Sequence, residues 1–442
     1  MRMKNEIRSR NGDVGDDVVR PDGHDDGGRR FEPCLRQIDT KGRWSMRNRS
    51  FIALLLLGGC GAGVLFWTAL RVRGNSRTSP GIYLKNWDAT RAAAYLDSRE
   101  VWWQGWAPAQ KDHGTICISC HTVVPYAMAR PALRQAVDET AMSAPEKVLM
   151  GSVEKRVGSW SQMAPFYSDQ DGRDKAAQSR ATEAVMNAVI LASYDEHQGH
   201  LRPITRTAFD EAWALQERAG ENAGGWKWQD FDLAPWESRE SGYQGAALLA
   251  VKAENAPGGY AAEPDAAPSL ERLREYLARE YSSQPVMNQL YVLWASARSP
   301  GLLTAAQQKS LQAALQGLQQ PDGGWALSSL DQQNLPQDNR WRWIRKQLKI
   351  ALKPPQSDGC ATGLVVLILE ESGTSRQDPM VMHGLQWLER HQNSDGSWSA
   401  ESLNEKRDPQ TDVGRFMTDA ATGYAVMALE ESRQQQRHAA HL

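Results

Sequence analysis

Residues 319–325 read QQPDGGW and residues 392–398 read QNSDGSW, so both follow the pattern QxxxGxW. A third, degraded copy, Gly224-Gly225-Trp226, lacks the glutamine at its place. A motif that recurs within one chain is typical of repeat architectures. The composition agrees, since 17 Trp against 7 Phe indicates a repeated Trp-containing element rather than a generic core. The chain is therefore predicted to be built from repeats.

Each copy lies between two kinds of predicted helix. The helix before it is amphipathic, with leucine or valine at i, i+4 and i+7, as in Leu311, Leu315 and Leu318 and in Val381, Leu385 and Leu388. The helix after it is apolar nearly all round, as in residues 358–372 and 419–432, with further members at 185–192 and 245–251. An all-apolar helix must be covered on every side. This pattern predicts an all-α fold, an α/α toroid with amphipathic helices outside and apolar helices inside.

The QxxxGxW copies resemble the QW motifs of squalene–hopene and oxidosqualene cyclases, whose toroid is shared with protein prenyltransferase β-subunits. The resemblance covers about residues 205–434. It implies that the glutamine caps a helix end and that its amide stacks against the tryptophan of the next repeat. The motif is thus structural and carries no chemistry by itself.

Residues 117–121, CISCH, match the C-x-x-C-H attachment signature of c-type cytochromes. In that signature two cysteine thioethers hold the porphyrin, and the adjacent histidine points its imidazole at the iron. The spacing therefore predicts one covalent haem c on Cys117 and Cys120, with His121 as axial ligand. The alternatives are a disulfide or half of a zinc site, and a zinc ribbon needs a second close pair that is absent among Cys34, Cys60, Cys117, Cys120 and Cys360.

The sixth iron ligand is the open question of this motif. Met163 is the first candidate, because the sequence around it predicts a loop. Other sulfur and imidazole groups follow the motif, namely Met128, Met142, Met150, His197 and His200. An open sixth position is the alternative and would favour ligand binding over electron transfer.

The CISCH segment is predicted to stand at the start of an inner helix, so that the haem belongs to the toroid and not to a separate domain. The starts of the inner helices would then share one mouth of the barrel. This predicts that His121, Glu237, Asp358 and Asp419 face a common cavity.

Cyclase chemistry receives little support from the sequence. Class II terpene cyclases use a DxDD motif, and the closest string, DFDL at 230–233, lacks the last acid. Residues 357–362 resemble the shorter Asp-Cys-Thr-Ala element of oxidosqualene cyclases with one residue inserted, and Asp358 with Cys360 fits part of the prenyltransferase zinc set, without its histidine around 419–422. Asp358 and Asp419 are weak catalytic candidates, and N-capping of their helices is the favoured interpretation.

The chain begins with a segment unlike the rest. Residues 51–70 carry no charge and as a helix reach about 30 Å, enough to span a bilayer. In two alternatives, Met46 is the true start of a signal sequence, or Cys60 is lipidated. All three place the remainder outside the cytoplasm, on the periplasmic side of a bacterial inner membrane. The predicted domains are a disordered tail at 1–45, the single-pass anchor at 51–70, a linker at 71–85, the haem-bearing region at 86–204 and the toroid at 205–434.

These features together predict a membrane-anchored periplasmic c-type haem protein that transfers electrons or senses redox state or a ligand. Its predicted partners are a redox protein and an isoprenoid or quinone in the cavity. Nucleic acid is excluded, because 51 Lys and Arg balance 53 Asp and Glu. The alternatives are a divergent squalene-cyclase-like enzyme or a polyprenoid-binding protein, and a plain scaffold in which Cys117 and Cys120 form a disulfide.

Overall fold

The computed structural model describes residues 87–331, 355–404 and 407–440. The predicted tail, anchor and linker lie outside the described residues. Among the helices that are described, none combines the length and apolar character needed to cross a membrane.

Helices from both predicted regions, 86–204 and 205–434, alternate between two layers. The outer layer holds α1 (Ala89–Gly105), α3 (Ala144–Gly158), α5 (Pro203–Ala214), α7 (Ala267–Glu280), α9 (Ala305–Leu318) and α12 (Pro379–Arg390). The inner layer holds α2 (Val123–Ala136), α4 (Lys175–Gln198), α6 (Ser241–Asn255), α8 (Val286–Ser296), α11 (Gly359–Glu371) and α13 (Phe416–Ala440). A short helix α10 (Leu327–Leu330) and a two-stranded antiparallel hairpin, β1 (Gln110–Lys111) and β2 (Thr115–Ile116), complete the described α-helices and strands, and several 3-10 turns lie in the loops.

The inner helices form a closed ring. Each one packs against the next, and α13 returns to pack against α2. Burial follows the predicted pattern, because α11 is buried from Gly359 to Glu370 whereas α9 buries only Leu311 and Leu315. The described part of the chain is thus the α/α toroid that the periodicity predicts.

Each GxW loop ties one repeat to the next outer helix. The glutamine Nε2 of Gln319 donates to the carbonyls of Gly323 and Met380, and that of Gln392 donates to those of Gly396 and Asp88. Asp88 caps α1, so the last repeat is bonded to the first. The glutamines therefore bond to backbone carbonyls, and Gln392 closes the ring.

The third copy, which ends at Trp226, also has its glutamine, but Gln216 lies four residues before the position that the QxxxGxW spacing predicts. Gln216 donates to the carbonyls of Gly224 and Ser269, the same two contacts that Gln319 and Gln392 make. The loop between Gln216 and Gly224 is longer than in the other copies. The fixed QxxxGxW spacing could not find it, so the degraded copy is a complete one with an insertion.

Candidate functional site

The CISCH segment joins β2 to the first turn of the inner helix α2, as predicted. The Ser119 hydroxyl accepts hydrogen bonds from the backbone N–H groups of Thr122 at 3.2 Å and Val123 at 3.1 Å, which satisfies two donors at the helix start. The indole of Trp103, buried on α1, donates to the Cys117 carbonyl at 2.8 Å. The segment is therefore fixed at both ends on buried elements.

A cleft, which we call the CISCH cleft, opens beside this segment. Residues 117–121 line one side, and one face of α4 lines the other through Ser179, Thr182, Glu183 and Met186. The spacing of those four residues, i, i+3, i+4 and i+7, is that of a single helical stripe. Loop residues Phe166, Tyr167, Gln229 and Glu237 contribute further wall. The cleft thus lies between the first two inner helices at the mouth where α2 begins.

Both cysteines of the motif are buried thiols in this cleft. Cys117 and Cys120 are not joined to one another, and burial raises the pKa of the Cys120 thiol, an effect to which Glu237 adds. A zinc site would need the thiolate form, which burial disfavours, and no group of three metal-ligating side chains occurs among the described residues. A thioether carries no charge, so its formation here would cost no buried ionisation.

The His121 ring is clamped between aromatic side chains. Phe416, the first residue of α13, stacks on it with ring centroids 4.0 Å apart, and Trp103 meets it edge-on at 5.4 Å. Burial, together with the nearby positive charges of Arg407 and Arg99, lowers the pKa of His121 to about 3, so the imidazole is neutral. A neutral imidazole is the form that ligates a metal.

Asp419 does not line the cleft but is connected to it through one residue. Its carboxylate accepts from the Thr122 hydroxyl at 2.8 Å, and the same hydroxyl lies 2.9 Å from His121 Nδ1. Burial raises the pKa of Asp419, while Arg99, Thr122 and Tyr95 oppose that rise. Asp419 therefore belongs to the surroundings of His121 rather than to a separate acid site.

Asp358 lies apart from this group and caps α11. It accepts from the N–H groups of Ala361 at 2.9 Å and Leu327 at 2.6 Å, and burial raises its pKa to about 6. The predicted common cavity is thus right for His121 and Glu237, which line the same cleft, and wrong for Asp358 and Asp419, which are not part of its lining. For Asp358 the reason is local, because both of its carboxylate oxygens accept hydrogen bonds from backbone N–H groups.

Two methionines differ in their relation to the cleft. Met163 is buried at the end of a short turn, and its carbonyl accepts from Arg180, but it is not part of the cleft wall. Met186 is equally buried and does line the cleft. Sequence reasoning missed Met186, because a methionine within an apolar inner helix cannot be told from ordinary core.

Gln229 is the other group that sequence reasoning missed. Its backbone N–H donates to Thr182 at 2.9 Å, yet neither atom of its side-chain amide has a hydrogen-bond partner. The residue is 4% exposed and lines the cleft. A buried amide without partners costs about 1–3 kcal/mol, so such a group calls for an explanation, and a ligand in the cleft would supply one.

Glu100, on the inward side of α1, is fully buried, and its carboxyl group lies near that of Asp419. One of its oxygens accepts from Gln104 at 2.9 Å, and the other has no partner. Burial raises the pKa of Glu100 to about 8, opposed by the Gln104 hydrogen bond. In the unfolded chain a glutamate ionises near pH 4.3, about the model-peptide value. The folded state therefore holds one more proton than the unfolded state between these two values, and stability falls as pH rises through that window.

We expect Glu100→Gln to remove this pH dependence. The amide is neutral at every pH, so its advantage over glutamate should grow from about pH 5 to pH 8 by up to about 1.4 kcal/mol per unit. Urea unfolding of both proteins at the two pH values measures it. An identical difference between the proteins at both values would show that Glu100 ionises freely in the fold.

The class defined by this fold and site is an α/α toroid with a cysteine-histidine cleft between its first two inner helices. Residues 360–441, which cover α11 from its second residue and the whole of α12 and α13, match the family model of the squalene-hopene cyclase C-terminal domain. That part of the chain is similar to the cyclase domain, in agreement with the resemblance of the QW motifs. No curated protein sequence matches the chain.

Solved structures of a glycosidase also resemble the chain. A variant in complex with glucose is 11% identical, covers 78% of this chain and 98% of that chain, and has a TM-score of 0.44. A second variant is 10% identical with the same coverage and TM-score.

Proposed function

We propose that this protein is a c-type haem protein, held at the periplasmic face of a bacterial inner membrane by residues 51–70, that transfers single electrons. The observation that carries the proposal is that Cys117, Cys120 and His121 line one cleft whose wall also includes the unpartnered side-chain amide of Gln229. Covalent haem attachment takes place after export, so the anchor and the motif support one another.

The residues present suit a haem in their chemistry. Cys117 and Cys120 would form the two thioethers, and neutral His121 would offer Nε2 to the iron. Haem supplies a one-electron iron couple whose potential the protein tunes through its axial ligands and burial. Gln229 is suited to bond a polar group of the haem or a bound water, which would satisfy its amide. Phe416 and Trp103 exclude water from the ring of His121.

The direct test is the visible absorption spectrum of the protein made with haem-maturation machinery. We expect the protein to keep its haem colour after denaturation, because the thioether attachment is covalent. A haem-stained denaturing gel reports the same property independently. Colourless protein with Cys117 and Cys120 joined as a disulfide would favour the scaffold alternative.

We further propose Met186 in place of Met163 as the sixth ligand. Thioether sulfur opposite histidine is the axial pair of electron-transfer cytochromes c, and it leaves no open position for an exogenous ligand. Met186 stands on the α4 wall facing the CISCH segment, whereas Met163 is outside the cleft lining. This ligation favours electron transfer over ligand sensing.

The two methionines provide a matched pair of variants, since both are buried to a similar degree. We expect Met186→Ala to abolish the Met-to-iron charge-transfer band of the ferric protein and Met163→Ala to retain it. Loss of the band in Met163→Ala alone would show that Met163 is the sixth ligand. A wild-type protein without the band would indicate an open sixth position and hence ligand binding.

The likeness of residues 360–441 to a cyclase domain supports the alternative of a cyclase-like enzyme. Three features of the inner helices weigh against that alternative. Asp358 and Asp419, the acids at the inner-helix starts, are both engaged by donors and are unsuited to protonate an alkene. Inside the ring, the hydroxyls of Tyr291 on α8 and Tyr424 on α13 meet at 2.6 Å. Gly363 of α11 lies directly on the backbone of α13, so the inner helices approach closely where a polyprenoid would need room.

The predicted partners follow from the same proposal. A single electron must be delivered and removed, so the protein requires a redox partner protein. The second predicted partner is an isoprenoid or quinone. The sequence placed it in the cavity, but the inner helices approach closely there, so we propose instead that it is met in the adjacent membrane, at whose surface the proposed anchor would keep the toroid.

A further inference from the structure

A chain of buried hydrogen bonds runs from His121 across the closure of the ring. His121 Nδ1 lies 2.9 Å from the Thr122 hydroxyl, which donates to Asp419 Oδ2 at 2.8 Å. Thr122 opens the inner helix α2, and Asp419 stands in the first turn of the inner helix α13. All three side chains are at most 5% exposed, so water does not compete for these bonds.

The Asp419 carboxylate is saturated with donors. Tyr95 OH at 2.8 Å and Arg99 Nε at 2.7 Å donate to Oδ1, while Arg99 Nη2 at 3.1 Å and the Thr122 hydroxyl donate to Oδ2. Burial raises the pKa of Asp419, but all four of these partners donate, two of the bonds coming from a guanidinium, so the contacts match an ionised carboxylate that only accepts. Asp419 also lies in the first turn of α13, where the positive end of the helix dipole stabilises a negative charge.

The polarity of the chain then has one solution. Thr122 has a single hydroxyl proton, and an ionised carboxylate can only accept, so that proton lies towards Asp419. The same oxygen can therefore only accept from His121, which requires the ring proton to be on Nδ1. The lone pair of His121 is left on Nε2, the nitrogen turned away from Thr122.

We infer that Asp419, acting through Thr122, is a positioning residue that fixes the Nδ1–H tautomer of His121 and raises the electron density at Nε2. Metal-ligating histidines commonly donate their second ring N–H to a carboxylate or carbonyl, which sets the tautomer and makes the ligand more basic. Here the carboxylate comes from the far end of the chain, 297 residues from Thr122. Phe416, one turn before Asp419, adds the stacking contact, so a single face of α13 holds the ring in place.

The inference rests on the proposed function for its electronic consequence, but the tautomer itself can be tested without haem. Thr122→Val removes the hydroxyl and keeps the shape, and Thr122→Ser restores the hydroxyl. Thr422→Val is the matched control. Thr422 also bridges α13 to a neighbouring loop, accepting from Trp398 N–H at 3.1 Å and donating to the Thr418 carbonyl at 2.7 Å, and neither bond includes His121.

NMR of the histidine ring nitrogens in the haem-free protein provides the first readout. We expect the His121 proton on Nδ1 in the wild type, in Thr122→Ser and in Thr422→Val, and a shift towards Nε2 in Thr122→Val. A wild-type proton on Nε2, or a Thr122→Val spectrum equal to that of Thr422→Val, would overturn the inference. Colourless wild-type protein would defeat the haem proposal while this measurement still decides the tautomer.

The reduction potential of the haem-loaded protein gives the second readout. A more basic axial ligand favours ferric over ferrous iron, so loss of the chain should raise the potential. We expect Thr122→Val to raise the ferrous-to-ferric ratio at fixed ambient potential on the order of tenfold, which is about 59 mV for one electron. Thr122→Ser and Thr422→Val should keep the wild-type potential, and a Thr122→Val potential equal to theirs would refute the electronic role of Asp419.

Discussion

A Cys117→Ala/Cys120→Ala double variant, made with haem-maturation machinery, is expected to fold but to lose any bound haem on denaturation, whereas we expect the wild type to keep its haem covalently. Both thiols line the CISCH cleft, and each is needed for one thioether. Removing both leaves His121 as the sole attachment, which denaturation breaks. The measurement is haem absorbance per protein after denaturing electrophoresis, with far-ultraviolet circular dichroism to show that the helices are retained.

Cys360→Ala is the control for this experiment. Cys360 is a buried thiol of the inner helix α11, so its replacement makes the same kind of substitution at one buried cysteine without touching the cleft. It should retain full haem content. Equal haem in the double variant and in Cys360→Ala would mean that any bound haem is held without the two cysteines, and the c-type proposal would then be wrong.

The toroid could be predicted from the sequence because the information for it is local. Helical periodicity distinguishes the amphipathic α9 from the apolar α11, and the glycine and tryptophan of each QW copy stand at a fixed spacing. Gln216 escaped detection because the loop after it is longer, although its contacts are the same. Sequence spacing thus identifies a repeat only while the loop length is conserved between its copies.

The cleft was predictable in part. CISCH predicted the position of the thiols at an inner-helix start, because a short motif carries its own geometry. The contact of Asp419 with Thr122 depends on the ring closing between α13 and α2, and no local pattern reports that. Met186 and Gln229 become visible only when α4 and the loop before α6 are placed beside the motif.

Closure of the ring depends on Gly396, the glycine of the last QW copy. Its φ of +92° lies in the left-handed region, and a Cβ there would overlap the backbone of Arg91 in α1. Gly224 and Gly323 meet α7 and α12 in the same way, with φ of +95° and +96°. The repeated glycine is therefore required both by its own conformation and by the helix that packs on it.

We expect Gly396→Ala to lower the free energy of unfolding by more than about 4 kcal/mol, because α1 must move away from the last repeat. Gly301→Ala separates the two causes. Gly301 has φ of +91° but no atom within 4 Å of an added Cβ, so it should cost only about 1–2 kcal/mol for the backbone conformation. Urea unfolding of the two variants measures the difference. Asp88, the cap of α1, is also bonded to Gln392, so displacement of α1 removes that hydrogen bond as well. Equal losses of unfolding free energy in the two variants would mean that the ring does not close at this contact.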